Sequence, residues 1–166
     1  MDLDSALTGK PAEGAGATEL LRADHREVSR LFAEYEHARG AGHARKVLAQ
    51  TIAMQLELHD AVERDVFYPA VKALERAGIE AALRDHDDIA RVTETLREGT
   101  DDSARHDEHV ATLKRLVDQH VREEEEGLFP RVEQNGAVSL RELGAKMVKR
   151  KEELTRSTES FEGPAT

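Results

Sequence analysis

Cysteine is absent from the 166-residue chain, which excludes disulfides, thiolate zinc sites and iron–sulfur clusters. Aromatic residues amount to only 4%, and glycine and proline are sparse, a composition that suits helices better than a sandwich or a barrel. No apolar run approaches the roughly 18 residues needed to span a bilayer. The opening stretch MDLDSALTGKPAEGAGAT has neither the basic start nor the apolar centre of a signal peptide, so the expectation is a soluble, cytoplasmic protein. Positive charge is the minority sign, with 24 basic against 34 acidic side chains. Such a surface disfavours nucleic acid and anionic membrane as partners and suits a metal cation or another protein.

What the chain has in quantity is helical periodicity. Residues 1–17 are small and unpatterned and read as a flexible tail. From Thr18, an N-cap candidate with Glu19 in the first turn, the stripe Leu21, His25, Val28, Phe32, Tyr35 runs at helical spacing until Gly40 and Gly42. A second stripe holds Leu48, Ile52, Leu56, His59, Glu63 and Phe67, with Pro69 as a kink or stop. Gly78 separates it from a third, with Ala82, His86, Ile89, Thr93 and Leu96. After GTDDS (99–103) a fourth shows Leu113, Leu116, His120, Glu124 and Leu128, up to Pro130. A fifth helix opens at Ser139, with Glu142 three residues on as a capping box. Short connections between long helices predict an all-α fold, an up-down-up-down antiparallel four-helix bundle over 18–134 with an extra C-terminal helix and tail over 135–166.

The two halves repeat. A shift of 61 carries Asp24-His25 onto Asp85-His86, and His59, Glu63, Pro69 and Val71 onto His120, Glu124, Pro130 and Val132. Each half is a helix pair with one lone histidine and one His-x-x-x-Glu, so His25, His59, His86 and His120 sit on apolar stripes together with Glu63 and Glu124. A buried carboxylate without a partner costs several kcal/mol. Arg22, Arg26, Arg64, Arg84 and Lys114 lie off the stripes and cannot compensate it, whereas a bound metal can. Six imidazole and carboxylate ligands are too many for one tetrahedral zinc with an open position and suit a pair of first-row metals bridged by carboxylates. Two octahedral ions offer about twelve positions, of which this set and one oxo, hydroxo or water bridge fill all but about two. Those remain for dioxygen, peroxide, nitric oxide or azide. A donor set without thiolate favours iron or manganese, and iron is expected.

The series lone His, His-x-x-x-Glu, lone His, His-x-x-x-Glu, with the phrases FYPAV and HVREEEEGLFPRV, resembles the hemerythrin-like (HHE cation-binding) family over roughly residues 18–134. The resemblance implies a four-helix bundle around a non-haem di-iron centre, oxo- or hydroxo-bridged, with metal ligands His25, His59, Glu63, His86, His120 and Glu124. It also marks departures. Oxygen-carrying hemerythrins have a further histidine where this chain has Ala90, and an aspartate where it has a glutamate in the fourth helix. Simple reversible oxygen carriage is therefore not the expectation. Peroxide chemistry, nitric oxide binding, and redox or iron sensing in the stress response are what the bacterial members imply.

Other candidates rank below these. Glu123 is the alternative to Glu124; Asp24 and Asp85 are either acceptors behind the ligands or solvent-facing. Glu34 and His37 form a solitary Glu-x-x-His, unlike the paired motifs of ferritin-like sites. His109 lies about 16 Å from His120 along the helix, too far for the same metals. His37, His43 and His106 read as surface, and Tyr35 and Tyr68 as core or interfacial, with reach into the site as the lesser alternative. Three functions stay open: a ligand-binding redox protein, including a catalase-like enzyme that disproportionates peroxide; a non-catalytic sensing or interaction module; and a metal-free helical adaptor.

Overall fold

Apolar residues three and four apart bury one face of each helix, and the resulting stripes decide where the side chains of this chain go. The computed structural model describes residues 14–38, 40, 42–98 and 103–161. The expected tail up to residue 13 and the expected break at 99–102 lie outside them. Among the described residues every regular element is helical. We label them α1 (Ala17–His37), α2 (Gly42–Val62, prolonged to Val71), α3 (Arg76–Glu98), α4 (Ser103–Glu123, prolonged to Asn135) and α5 (Leu140–Phe161).

Helix ends differ from the sequence reading in identifiable ways. Gly16, not Thr18, caps α1: its N–H donates to Glu19 Oε2 at 2.8 Å, while the Thr18 hydroxyl donates to Glu133 of α4. Gly42 opens α2 rather than closing α1, and Gly78 lies inside the first turn of α3. Ser139 does cap α5, its Oγ accepting the Glu142 N–H at 3.3 Å. Pro130 does not stop α4, which runs on to Asn135 and closes on Gly136 at φ 67°, a left-handed position that favours glycine.

The prolines mark something else. Immediately before each, the α register gives way to a single π turn, Glu63–Phe67 in α2 and Glu124–Leu128 in α4. The Tyr68 N–H reaches back five residues to the Glu63 carbonyl, and the Phe129 N–H to that of Glu124. Proline at the next position has no N–H to hold the α register. The two π turns occupy equivalent places in the 61-residue repeat, each opening on a site glutamate.

Two apolar clusters result. One gathers Leu21, Phe67, Tyr68, Ile79, Leu128 and Phe129; the other Val28, Phe32, Ile52, Leu56, Ile89 and Leu113. The helices visit them in alternating order, α1 and α3 from the first to the second, α2 and α4 from the second to the first. Helix α5 packs on α1, α2 and the first π turn, adding Leu143 and Met147 to the first cluster. Ion pairs from Arg150 to Asp65 and from Lys151 to Asp24 fix it there.

The seam between α5 and the start of α1 is a backbone contact. A Cβ on Gly144 would stand 2.5 Å from the Ala15 carbonyl oxygen and 3.1 Å from the Ala17 nitrogen. Gly144→Ala is therefore expected to cost about 1–3 kcal/mol in urea unfolding, the usual range for an overpacked site.

Candidate metal centre

Between the two clusters lies a layer of polar side chains. His25 of α1, His59 of α2, His86 of α3 and His120 of α4 are all buried, and Glu63 and Glu124 are 0% and 1% exposed. The glutamates follow their histidines by one helical turn, so each pair points the same way. His59 Nε2 and His86 Nε2 stand 3.2 and 2.7 Å from Glu63 Oε2. His25 Nε2 and His120 Nε2 each stand 3.4 Å from Glu124 Oε2. All six residues read from the repeat come together in this one layer.

The outer nitrogens face a second set of carboxylates. His25 Nδ1 lies 2.8 Å from Glu125, His86 Nδ1 3.1 Å from Asp60, His59 Nδ1 3.6 Å from Asp24 and His120 Nδ1 3.8 Å from Asp85. Each carboxylate belongs to a different helix from the histidine it faces, and each adjoins a site residue of its own helix. The pattern closes into a ring: α1 backs α2, α2 backs α3, α3 backs α4 and α4 backs α1. A carboxylate behind an imidazole fixes the ring orientation and leaves the inner nitrogen free to coordinate. Asp24 and Asp85 thus face the histidine of the neighbouring helix rather than the one beside them, beyond hydrogen-bond reach: Nδ1 of His59 and of His120 is buried without a hydrogen-bond partner.

One group at the centre is a residue whose spacing points first to the core or an interface and only second to the site. The Tyr68 hydroxyl lies 3.0 Å from Glu63 Oε2, 2.8 Å from Glu124 Oε1 and 2.8 Å from His86 Nε2. With one proton, it can donate to only one of them at a time. Five residues after Glu63, it would stand about 140° off the stripe in an unbroken α-helix. The π turn brings it back. Ala90, by contrast, is exposed, so a side chain there faces away from the layer.

The remaining candidates fall elsewhere. Glu123 is exposed and accepts a hydrogen bond from Gln119, leaving Glu124 as the inward residue. Tyr35 donates to Asp107 at 2.7 Å under Arg45, away from the layer. His37 and His43 are exposed, whereas His106 is half-buried against Tyr35 rather than at the surface. His109 is half-buried in α4 and belongs to neither of the donor sets that follow.

The donor chemistry fits a cation. His25, His59, His120 and Glu124 offer ligand atoms within 4.8 Å of one another, and so do His59, Glu63, His86 and His120. Nε2 of His25, His59 and His120, with Glu63 Oε1 and Glu124 Oε2, are buried without a hydrogen-bond partner. Such atoms are rare in folded proteins, and here a cation in the layer would satisfy them together. The hemerythrin HHE cation-binding domain matches residues 16–132. The chain belongs to that family. A DNA nickase of Nostoc sp. (strain PCC 7120) is 27% identical over 133 residues, 79% of this chain but 38% of the nickase, so the chain spans well under half of that protein. The crystal structure of a hemerythrin HHE cation-binding domain-containing protein from Mycobacterium kansasii shares the fold. Its TM-score is 0.74 at 23% identity, covering 89% of this chain and 91% of that one.

In this HHE domain the electrostatics of the metal-free layer are set by burial and by the paired charges. Burial opposes a charged imidazole at His59, but Glu63 and Asp24 hold its pKa well above the usual histidine value. At His120 burial again opposes, and Glu124, Asp85 and Glu63 raise the pKa. Burial favours the neutral acid at Glu63, yet His59 and His86 keep its carboxyl well below the usual glutamate range. For Tyr68 burial and both glutamates act together and push the phenol well above its ordinary value. Without a metal, the carboxylates therefore favour a proton on His59 and on His120.

Two predictions follow from this layer. After iron loading, His59→Ala and His120→Ala are expected to lose most of the bound metal, while His109→Ala keeps it, as measured by elemental analysis. The second concerns pH. Raised histidine values add stability that is complete below the ordinary value of 6.5 and is lost as pH rises through the folded values. The depressed Glu63 value adds stability present above 4.5 and lost as pH falls through its folded value. Metal-free protein should therefore melt progressively lower as the pH climbs above 6.5. Metal-loaded protein, whose imidazoles are already neutral, should not show this fall. Parallel melting curves for the two forms would contradict the assignment.

Proposed function

We propose that the chain is a non-haem di-iron protein that binds a small exogenous ligand, dioxygen, peroxide or nitric oxide. In this reading residues 18–134 form an up-down-up-down four-helix bundle, and 135–166 add a helix that braces it. The alternating order in which α1 to α4 visit the two apolar clusters supports the bundle. The observation that carries the metal reading is the pair of overlapping donor sets, which share His59 and His120 and each contain one buried glutamate. Together they offer six donors, His25, His59, Glu63, His86, His120 and Glu124, which would hold two ions rather than one, and a donor set of imidazole and carboxylate suits iron.

Iron bound there supplies Lewis-acid polarisation and one-electron chemistry toward the ligand. The chain supplies the rest. The four histidines would hold their inner nitrogens on the centre, and at His25 the Glu125 carboxylate, 2.8 Å from Nδ1, fixes which nitrogen carries the proton. The apolar clusters above and below keep bulk water away. Tyr68 brings a seventh oxygen or nitrogen donor into the layer, and its hydroxyl proton is available to whatever stands between the two glutamates.

A sensing role has one observation in its favour. Lys151 of α5 holds Asp24 at 2.6 Å, and Asp24 faces His59, so the fifth helix is joined to the centre by one carboxylate. Stopped-flow mixing with peroxide separates the readings: multiple turnovers indicate an enzyme, and stoichiometric reaction a sensor. The reading as a whole expects about two irons per chain, by the two donor sets, with ligand-to-iron(III) charge-transfer bands in the near-ultraviolet. Tyr68→Phe should keep the iron and alter that spectrum. Protein from iron-replete cells that folds normally without metal would refute it.

A further inference from the structure

The polar layer is not equally closed on all sides. Toward the second apolar cluster the space against the histidines is about 10 Å³, lined by Val28, Leu56, Ile89 and Val117. That is at the lower limit for a single water. Between α1 and α4 a cleft of about 270 Å³ reaches His25, but it meets the Glu125 side of the ring, where Nδ1 is already paired. Between α3 and the π turn of α4 the situation differs. A cavity of about 420 Å³ opens there to the surface; its lining includes His120 with Asp85 behind it and, unlike the cleft at His25, the inward glutamate Glu124.

The gap exists because side chains are missing. Gly78, Ala81 and Ala82 line it from α3, and Gly127 from the π turn. Neither glycine is required by the backbone: both are helical, and neither is among the described glycines with positive φ. A Cβ at Gly78 would make an ordinary 3.6 Å contact with Leu128. At Gly127 it would meet only the end of the Arg131 side chain, at 3.2 Å. Glycine inside a helix is destabilising relative to alanine, so two of them facing one gap need a reason other than strain or close packing. Gly144, where a Cβ would strike backbone, shows what the packing reason looks like.

We propose that small ligands reach the metal centre through this gap, past Gly78, Ala81 and Gly127, arriving on the His120–Glu124 side. The lining beyond the small residues is charged, with Asp85, Glu123 and Glu126 against Arg122 and Arg131. The route therefore suits a ligand of a few heavy atoms that can hydrogen-bond on the way, as peroxide does. This inference rests on the metal reading above and adds the entrance to it.

Azide, a small coordinating anion, is the probe. Its association with the iron-loaded protein is followed by stopped-flow absorbance in wild type, in Ala81→Leu, which narrows the gap, and in Arg131→Ala, which widens its mouth. Ala81→Leu is expected to slow azide binding and release together, each by about tenfold, equivalent to a barrier raised by about 1.4 kcal/mol. Affinity, iron content and melting temperature should be unchanged, because leucine is a good helix former. Arg131→Ala should speed both steps. Should Ala81→Leu fail to load iron, the Arg131→Ala rates decide alone. Wild-type protein that holds iron but binds no azide would refute the functional reading. Wild-type binding with rates that neither variant changes would overturn the entrance alone.

Discussion

Two carboxylates buried in the middle of a helical protein set the terms for everything around them. Glu63 and Glu124 lie between two apolar clusters, where an unpaired charge costs several kcal/mol. Positive charge has to be supplied locally, and the chain provides four imidazoles, one from each of α1 to α4. Those imidazoles can surround a cation, which would satisfy the buried site atoms that have no hydrogen-bond partner within the chain. Four helices must converge to assemble the polar layer. The layer thus constrains packing as much as chemistry, since a shift of any one helix withdraws a partner from a buried charge.

Much of this could be read from residue spacing. His25, His59, Glu63, His86, His120 and Glu124 all fall on stripes of helical period, and the structure buries all six together. Periodicity works here because α1 and α3 run unbroken and the α segments of α2 and α4 extend through His59 and His120. It fails across the π turns that open on Glu63 and Glu124. Tyr68 was out of reach because a π turn changes the rotation per residue, and nothing in an α template allows a five-residue spacing on one face. Pro69 and Pro130 are visible as a kink or a stop, but what they mark is a change of register within a continuing helix. The partners of Asp24 and Asp85 were hidden for a different reason: they lie on neighbouring helices, and spacing along one helix says nothing about them. The fifth helix was located by its cap, but its packing depends on Gly144, whose role is visible only when the Ala15 backbone is placed beside it.

The internal repeat holds for the backbone and breaks at the centre. Both halves have a π turn at the same place, and both send a glutamate inward. Yet the position equivalent to Tyr68 is Phe129, which has no hydroxyl and stacks on His25 at 5.9 Å. The position equivalent to Glu125, which backs His25, is Arg64, which instead holds Asp60 at 2.6 Å. One half therefore presents an extra oxygen and the other an aromatic face. Two metals in this layer would sit in unequal surroundings, and a ligand arriving at one would not find the other equivalent.

The ring of outer carboxylates has a consequence for how the layer could be built from parts. Within α1 and α2, Asp24 braces His59, but Asp60 reaches across to α3 and the brace for His25 comes back from α4. Half of the bracing therefore crosses from one helix pair to the other. A single helix pair could hold its own ligands but could not orient all of them. Two separate copies of such a pair, laid head to tail, would close the same circuit without any covalent link between them.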